Sequence, residues 1–395
     1  MRSHDATGPS TRSVHAGGTR DADRGLLVTP ICLASTFFFR STKDLADHLE
    51  GRRAGHFYSR YSNPTVEAVE ARIAALEGAE HCLCFGSGMA AIATLFLSLL
   101  ERGDHVVATR DLYGGTYEFL VRALPRWGID VTLVPTNDTR ALDAAIGSKT
   151  RLVYTETPTN PTLAVVDLEA VSRIAHRRGV PCAVDSTFGS PMNQRPIGFG
   201  FDFVVHSATK YLGGHCDLVG GAVAGSRQRI QEMAQLRKLL GGILDPHPAY
   251  LLERGLKTLG VRMARHNENG LEIARHLVDH ARVSRVYYPG LPEHAGHEIA
   301  VRQMSGFGGV VAFDLKATKE ETARFVESLD LAFLAPSLGG VETLVSQPSM
   351  TSHYHLKPEE RAALGISESL VRLSIGIEDA ADLIRDLDRA LDAIS

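Results

Sequence analysis

The chain has 395 residues, of which 44% are hydrophobic and 22% charged, the composition of a globular protein long enough for two domains. Its formal charge is −4, with no basic block and no interleaving of aromatic and basic residues, so nucleic acid and anionic membranes are not expected partners. The longest apolar run, "MAAIATLFLSLL" from Met89, is too short to span a bilayer, and the N-terminus has no signal-peptide core. Five cysteines give no disulfide framework, so a reduced, cytoplasmic setting is expected.

Residues 1–60 are rich in Gly, Thr, Arg and Ser and are predicted to form an extended arm. Beyond them the pattern changes to helices alternating with short apolar strands. "NPTVEAVEARIAALEG" predicts a helix with Asn63 as N-cap, Pro64 at its first position and Gly78 closing it. "HCLCFGSG" predicts a strand entering a glycine turn, with Cys82 and Cys84 at alternate buried positions, and "MAAIATLFLSLLERG" the helix after it. "HVVAT", "DVTLVP", "TRLVYTE", "PCAVDS" and "DFVVHS" are further β-branched runs separated by helical or polar segments. Strands buried on both faces and alternating with helices imply a mostly parallel sheet with helices on both sides. From about residue 250, "AYLLERGLKTLGVRMARHNENGLEIARHLVDH" is helical in period, and mixed elements follow. The expected organisation is an arm over 1–60, a large α/β domain over 61–250 and a smaller α/β domain over 251–395.

In such a sheet, ligands bind beyond the carboxyl ends of the strands. Residues just past the apolar runs are therefore the candidates: Ser87, Gly88 and Met89, then Asn160 in "TETPTNP", Asp185, and Ser207, Thr209 and Lys210 in "HSATK". A glycine turn entering a helix offers N–H groups to a phosphate, and the Ser207 and Thr209 hydroxyls can join it. Asp185 can hold a protonated ring nitrogen. Lys210 can form a Schiff base if burial lowers its pKa. Phosphate, pyridinium and aldehyde are the three handles of pyridoxal phosphate.

"YSRYSNPT", "YGGTYEF", "DSTFGSP", "HSATKYLGGH" and "SLGGVETL…LVRLSIGIED" resemble the Cys/Met-metabolism family of pyridoxal-phosphate enzymes. The resemblance implies the aspartate-aminotransferase-like fold (fold type I) and a homotetramer built from two tight dimers. It makes Lys210 the cofactor-bearing lysine and acid–base catalyst, Asp185 the partner of the pyridine nitrogen and Tyr113 the residue stacked on the ring. Ser87, Gly88, Met89, Ser207 and Thr209 would hold the phosphate, with Tyr58 and Arg60 reaching it from the neighbouring subunit. Arg372, Ser337 and Asn160 would clamp the substrate carboxylate.

The implied activity is γ-elimination or γ-replacement on a γ-substituted amino acid of the O-acylhomoserine, methionine or cystathionine type. Three positions depart from the family pattern. Ser186 stands where Asn commonly follows the acid, Gly115 where methionine γ-lyases carry cysteine, and Pro336 where a glutamate often precedes the carboxylate-binding serine. With Pro336, poor use of cystathionine is expected.

Two other readings of the residues exist. "GSGMAA" at 86–91 fits a loose G-x-G-x-x-A fingerprint for a nicotinamide oxidoreductase, although the acid about twenty positions on falls near Asp104, after a helix. An inactive binding relative is disfavoured because Lys210, Asp185 and Arg372 are all present. His353 and His355 alternate like ligands, but no third ligand is suitably spaced, so no metal is expected.

Overall fold

A computed structural model describes residues 7–17, 25–351, 354 and 357–394; His353 and His355 lie outside the described residues. Seven strands make the larger sheet: β1 (His81–Phe85), β2 (His105–Thr109), β3 (Asp130–Val134), β4 (Thr150–Glu156), β5 (Cys182–Asp185), β6 (Phe203–Ser207) and β7 (Gly221–Gly225). Their order is β1-β7-β6-β5-β4-β2-β3. Strands β2 to β6 pair in parallel, whereas β7 is antiparallel to both of its neighbours. Because β1 and β6 both oppose β7, they point the same way, and all six parallel strands end on one rim. Val, Ile and Leu side chains are buried on both faces, one beneath helix Gly88–Leu99 and the other beneath helix Leu168–Arg177.

Strand β7 is not predicted from the sequence. "GAVAG" has one β-branched residue and two glycines, a composition with little preference for strands. Packing explains those glycines: a Cβ at Gly221 would lie 2.2 Å from Ser87 O, and one at Gly225 would lie 2.6 Å from Asp202 O.

The smaller sheet contains β8 (Val283–Tyr287), β9 (Val310–Leu315), β10 (Phe333–Leu334), β11 (Leu344–Ser346) and β12 (Leu370–Ser374), in the order β10-β11-β12-β9-β8. Helices Leu259–Asp279 and Ala380–Ala393 bury Ile273, Leu277, Leu383 and Leu387 with this sheet.

Helix Pro64–Glu77 is capped as its sequence implies. Asn63 Oδ1 accepts from Thr65 N–H, and Gly78 closes the helix at φ 72°. The N-terminal segment is not simply extended, since it carries helices Pro9–His15 and Thr42–Leu49. A buried ion pair ties it down. Arg72 Nη2 donates to Glu253 Oε1 at 3.1 Å, Arg72 Nη1 donates to Ser13 O and Val14 O, and Thr29 Oγ1 donates to the same Glu253 oxygen. Removing one partner strands a buried charge. Glu253→Ala is therefore expected to destabilise the fold by about 3–5 kcal/mol, read as a lower urea midpoint with little change in slope.

Candidate active site

Ten of the predicted residues line one cavity of about 260 Å³ on the carboxyl rim: Ser87, Gly88, Met89, Tyr113, Asn160, Asp185, Ser207, Thr209, Lys210 and Arg372. An outer cavity of about 810 Å³ adjoins it, and Tyr113 and Pro336 line both.

Lys210 sits in the turn after β6. Its Nζ donates to Ser337 Oγ at 2.9 Å, which brings Ser337 to the site although it follows β10 of the other sheet. Desolvation lowers the Lys210 pKa and the Arg372 guanidinium lowers it further, while the Cys216 thiol acts the other way. A lysine so placed loses its proton more readily than one in water, as a nucleophilic amine requires.

Asp185, at the end of β5, is buried, and burial raises its pKa against two hydrogen bonds from Thr187. Thr187 donates both its N–H and its hydroxyl to Asp185 Oδ1, and Thr187 Oγ1 accepts from Ser207 N–H at 2.8 Å. One carboxylate oxygen is thereby held in place, and the site can accept a cationic ring nitrogen at the other.

The glycine turn after β1 leads into helix Gly88–Leu99. Ser87 Oγ accepts from Ala90 N–H, so the N–H groups of Gly88 and Met89 remain from the first turn, whose donors have no intrahelical acceptor. Gly88 packs tightly on Ser207, where a Cβ would lie 3.1 Å from Ser207 Cβ. Thr209 also lines this end, but its hydroxyl donates to Gly220 O and accepts from Gly220 N–H.

Arg372, on β12, reaches across to residues beyond the larger sheet. Its Nη1 donates to Asn160 Oδ1 at 2.9 Å and its Nη2 to Ser337 O at 3.1 Å. Desolvation lowers its pKa to about 10. Nε is buried and has no acceptor among the described residues. An orphaned guanidinium N–H inside a cavity is a ready donor for a ligand carboxylate.

Two residues that the sequence reading missed organise the rim. Thr187 joins Asp185 to Ser207. Glu156, the last residue of β4, accepts from Tyr113 N–H at 2.7 Å and from Asn160 N–H at 3.1 Å. Burial and the neighbouring Asp185 push the Glu156 carboxyl up, and the two N–H groups oppose that shift. Of the departures, Ser186 turns away from the cavity toward Gln194. Gly115 lies beneath the Tyr113 ring, where a Cβ would meet Tyr113 Cε1 at 2.6 Å and Met89 Sδ at 3.1 Å.

Tyr58 and Arg60 do not join the cavity of their own chain. Arg60 Nη1 donates to Lys238 O at 2.7 Å, and its guanidinium lies over the Tyr58 and Tyr61 rings. The nicotinamide reading fails on topology. A dinucleotide fingerprint joins parallel strands at the middle of a sheet, whereas β1 is an edge strand paired antiparallel to β7.

An open helix N-terminus, a buried acid, a half-buried lysine and an orphaned guanidinium N–H fit pyridoxal phosphate with an amino acid beside it. Fold and site together define a pyridoxal-phosphate enzyme of fold type I. The chain belongs to the Cys/Met metabolism PLP-dependent enzyme family, which it matches over residues 10–392. It is 45% identical to cystathionine gamma-synthase 1, chloroplastic, of Arabidopsis thaliana, over 97% of this chain and 68% of that one. Identity to the L-methionine gamma-lyase of Pseudomonas deceptionensis is 43%, over 99% of each chain. The crystal structure of metB from Corynebacterium glutamicum superposes with a TM-score of 0.93 over all of both chains, at 41% identity. The protein is thus a pyridoxal-phosphate enzyme of sulfur amino-acid metabolism.

Proposed function

We propose that the protein catalyses γ-replacement or γ-elimination on a γ-substituted amino acid: an O-acylhomoserine, methionine or cystathionine-type thioether. The observation that carries this reading is the meeting of Lys210, Asp185 and Arg372 in one cavity, which shares Tyr113 and Pro336 with a larger cavity beside it. Arg372 Nε, supported by Asn160 and Ser337, binds the substrate carboxylate. Lys210 would be the residue that binds pyridoxal phosphate covalently. Once free, its amine would take the proton from the substrate Cα and hold it as an ammonium hydrogen-bonded to Ser337 Oγ. Asp185 would hold the ring nitrogen in its protonated form, and Tyr113 would wall the ring. Ser87, Ser207, Thr209 and the N–H groups of Gly88 and Met89 hold the phosphate, with the Thr209 hydroxyl turning from Gly220 to do so. When bound, pyridoxal phosphate supplies the electron sink that makes protons at Cα and Cβ acidic enough to leave. The γ-substituent and any incoming thiol lie toward the outer cavity. Replacement and elimination use the same residues and differ in whether a thiol or water completes the reaction.

The active unit in this reading is a homotetramer of two dimers in the cytoplasm. Leu27, Leu33 and Phe38 of the N-terminal segment are 93%, 72% and 91% exposed, an apolar surface suited to a second copy. Tyr58 and Arg60, idle at their own cavity, serve the partner's phosphate.

Lys210→Ala is expected to abolish turnover and the cofactor's yellow colour while leaving the far-UV spectrum unchanged. Borohydride reduction of the native enzyme followed by peptide mapping should place the label on Lys210, and label on another lysine would overturn the assignment. Tyr58→Phe/Arg60→Ala subunits mixed with Lys210→Ala subunits should regain activity, because a mixed dimer has one site with an intact lysine and an intact partner arm. Failure to recover, with exchange of subunits verified by mass, assigns the arm to its own chain. Pro336 contributes neither charge nor N–H at the junction of the cavities. Pro336→Glu is expected to raise kcat/KM for cystathionine relative to methionine by about tenfold or more, the size of one charge-assisted contact to a distal ammonium. A panel of γ-substituted amino acids measures that ratio.

A further inference from the structure

We propose that Glu156 is a positioning residue that holds the aromatic wall of the cavity and its carboxylate clamp in one fixed relation; the proposal rests on the pyridoxal-phosphate reading above. The β4–β5 register sets Glu156 directly beside Asp185, both buried on the same rim. The two carboxylates are engaged differently. Asp185 has one oxygen held by Thr187 and presents a face to the cavity. Glu156 has both oxygens taken by main-chain donors, Oε2 by Tyr113 N–H and Oε1 by Asn160 N–H. Glu156 also lines the cavity, but its bonds run to the main chain at Tyr113 and Asn160 and not to Lys210 or Arg372, so its work is done through the two residues it holds.

Those two residues face different tasks. Tyr113 is the N-cap of the short helix Gly114–Glu118, and it lines both the inner cavity and the outer one. Asn160 accepts from Arg372 Nη1 and so aims the guanidinium whose Nε is free for a carboxylate. Tyr113 is 43 residues from Glu156 in sequence and Asn160 only four, so the carboxylate ties a distant loop to a local turn. The ionised carboxylate suits this task, because it offers two acceptor oxygens and no donor, and the two N–H groups favour that form against the pull of burial and Asp185. An amide at the same position would set its NH₂ against one of the two N–H groups, leaving a buried main-chain donor unsatisfied.

Glu156→Gln in the holoenzyme tests the assignment, once borohydride labelling of Lys210 has established the cofactor site independently. The expected result is a fall in kcat/KM of about ten- to a hundredfold, the scale of one lost hydrogen bond to a charged acceptor. Most of it should be a rise in KM for the amino-acid substrate, because a displaced Asn160 loosens the Arg372 clamp, together with weaker binding of pyridoxal phosphate titrated into the apoprotein. A role confined to folding would reduce the fraction of active enzyme, hence kcat, and leave KM and cofactor affinity unmoved. In an Asn160→Ala background the further loss on adding Glu156→Gln should be smaller than in the wild type, since part of the effect runs through Asn160. Should the glutamine variant fail to fold, Glu156→Asp keeps the charge but is too short to reach both N–H groups, and the same rise in KM is expected. Unchanged KM and cofactor affinity in the folded variant, or full additivity with Asn160→Ala, overturns the proposal and leaves the cofactor assignment at Lys210 standing.

Discussion

One buried guanidinium links the two sheets at the cavity. Arg372 leaves β12 of the smaller sheet and donates to Asn160, beyond β4 of the larger one, and to the main chain at Ser337. Ser337 in turn receives the Lys210 amine. A cation in so dry a place costs several kcal/mol unless its donors are met. Two of its three nitrogens are met by protein, and the third, Nε, has no acceptor among the described residues. That arrangement brings Lys210, Arg372 and the end of β4 together from positions far apart in the chain.

The larger sheet supplies the complementary constraint. Its parallel strands gather their carboxyl ends on one rim, and residues at or just past the ends of β1, β4, β5 and β6 line the cavity. Adjacent strands end side by side in Glu156 on β4, Asp185 on β5 and Ser207 on β6. Thr187 fastens the second to the third through two short contacts. The antiparallel β7 then lets β1 point with the others from the far edge, delivering its glycine turn and helix start to the same rim.

Much of this was legible in the sequence because the relevant signals are local. Asn63, Pro64 and Gly78 announce a helix by capping chemistry alone, and Asp185 and Lys210 stand just past runs that can only be buried strands. What escaped was set by partners distant in the chain. "GAVAG" is poor in strand formers, and it is a strand because β1 and β6 pair with it on either side, with neighbouring backbones leaving room only for glycine at Gly221 and Gly225. Glu156 looks like an ordinary last residue of a strand until the fold brings Tyr113 to it. Thr187, two positions after the acid, carried no signal of its own until its hydroxyl was seen to face two ways. Arg60 was singled out by motif, yet its cation–π contacts with Tyr58 and Tyr61 depend on how the segment folds back.

The buried attachment of the N-terminal segment bears on assembly. Arg72 grips it at Ser13 and Val14, Glu253 receives Thr29, the Thr65 hydroxyl accepts from Cys32 N–H, and Ser59 returns to Ala34 and Ser35. A segment pinned at so many points has already surrendered most of its conformational freedom within the single subunit. Any surface that docks on Leu27, Leu33 and Phe38 meets a template whose shape is set in advance, and the ordering entropy that usually weakens association of an extended limb has been spent during folding.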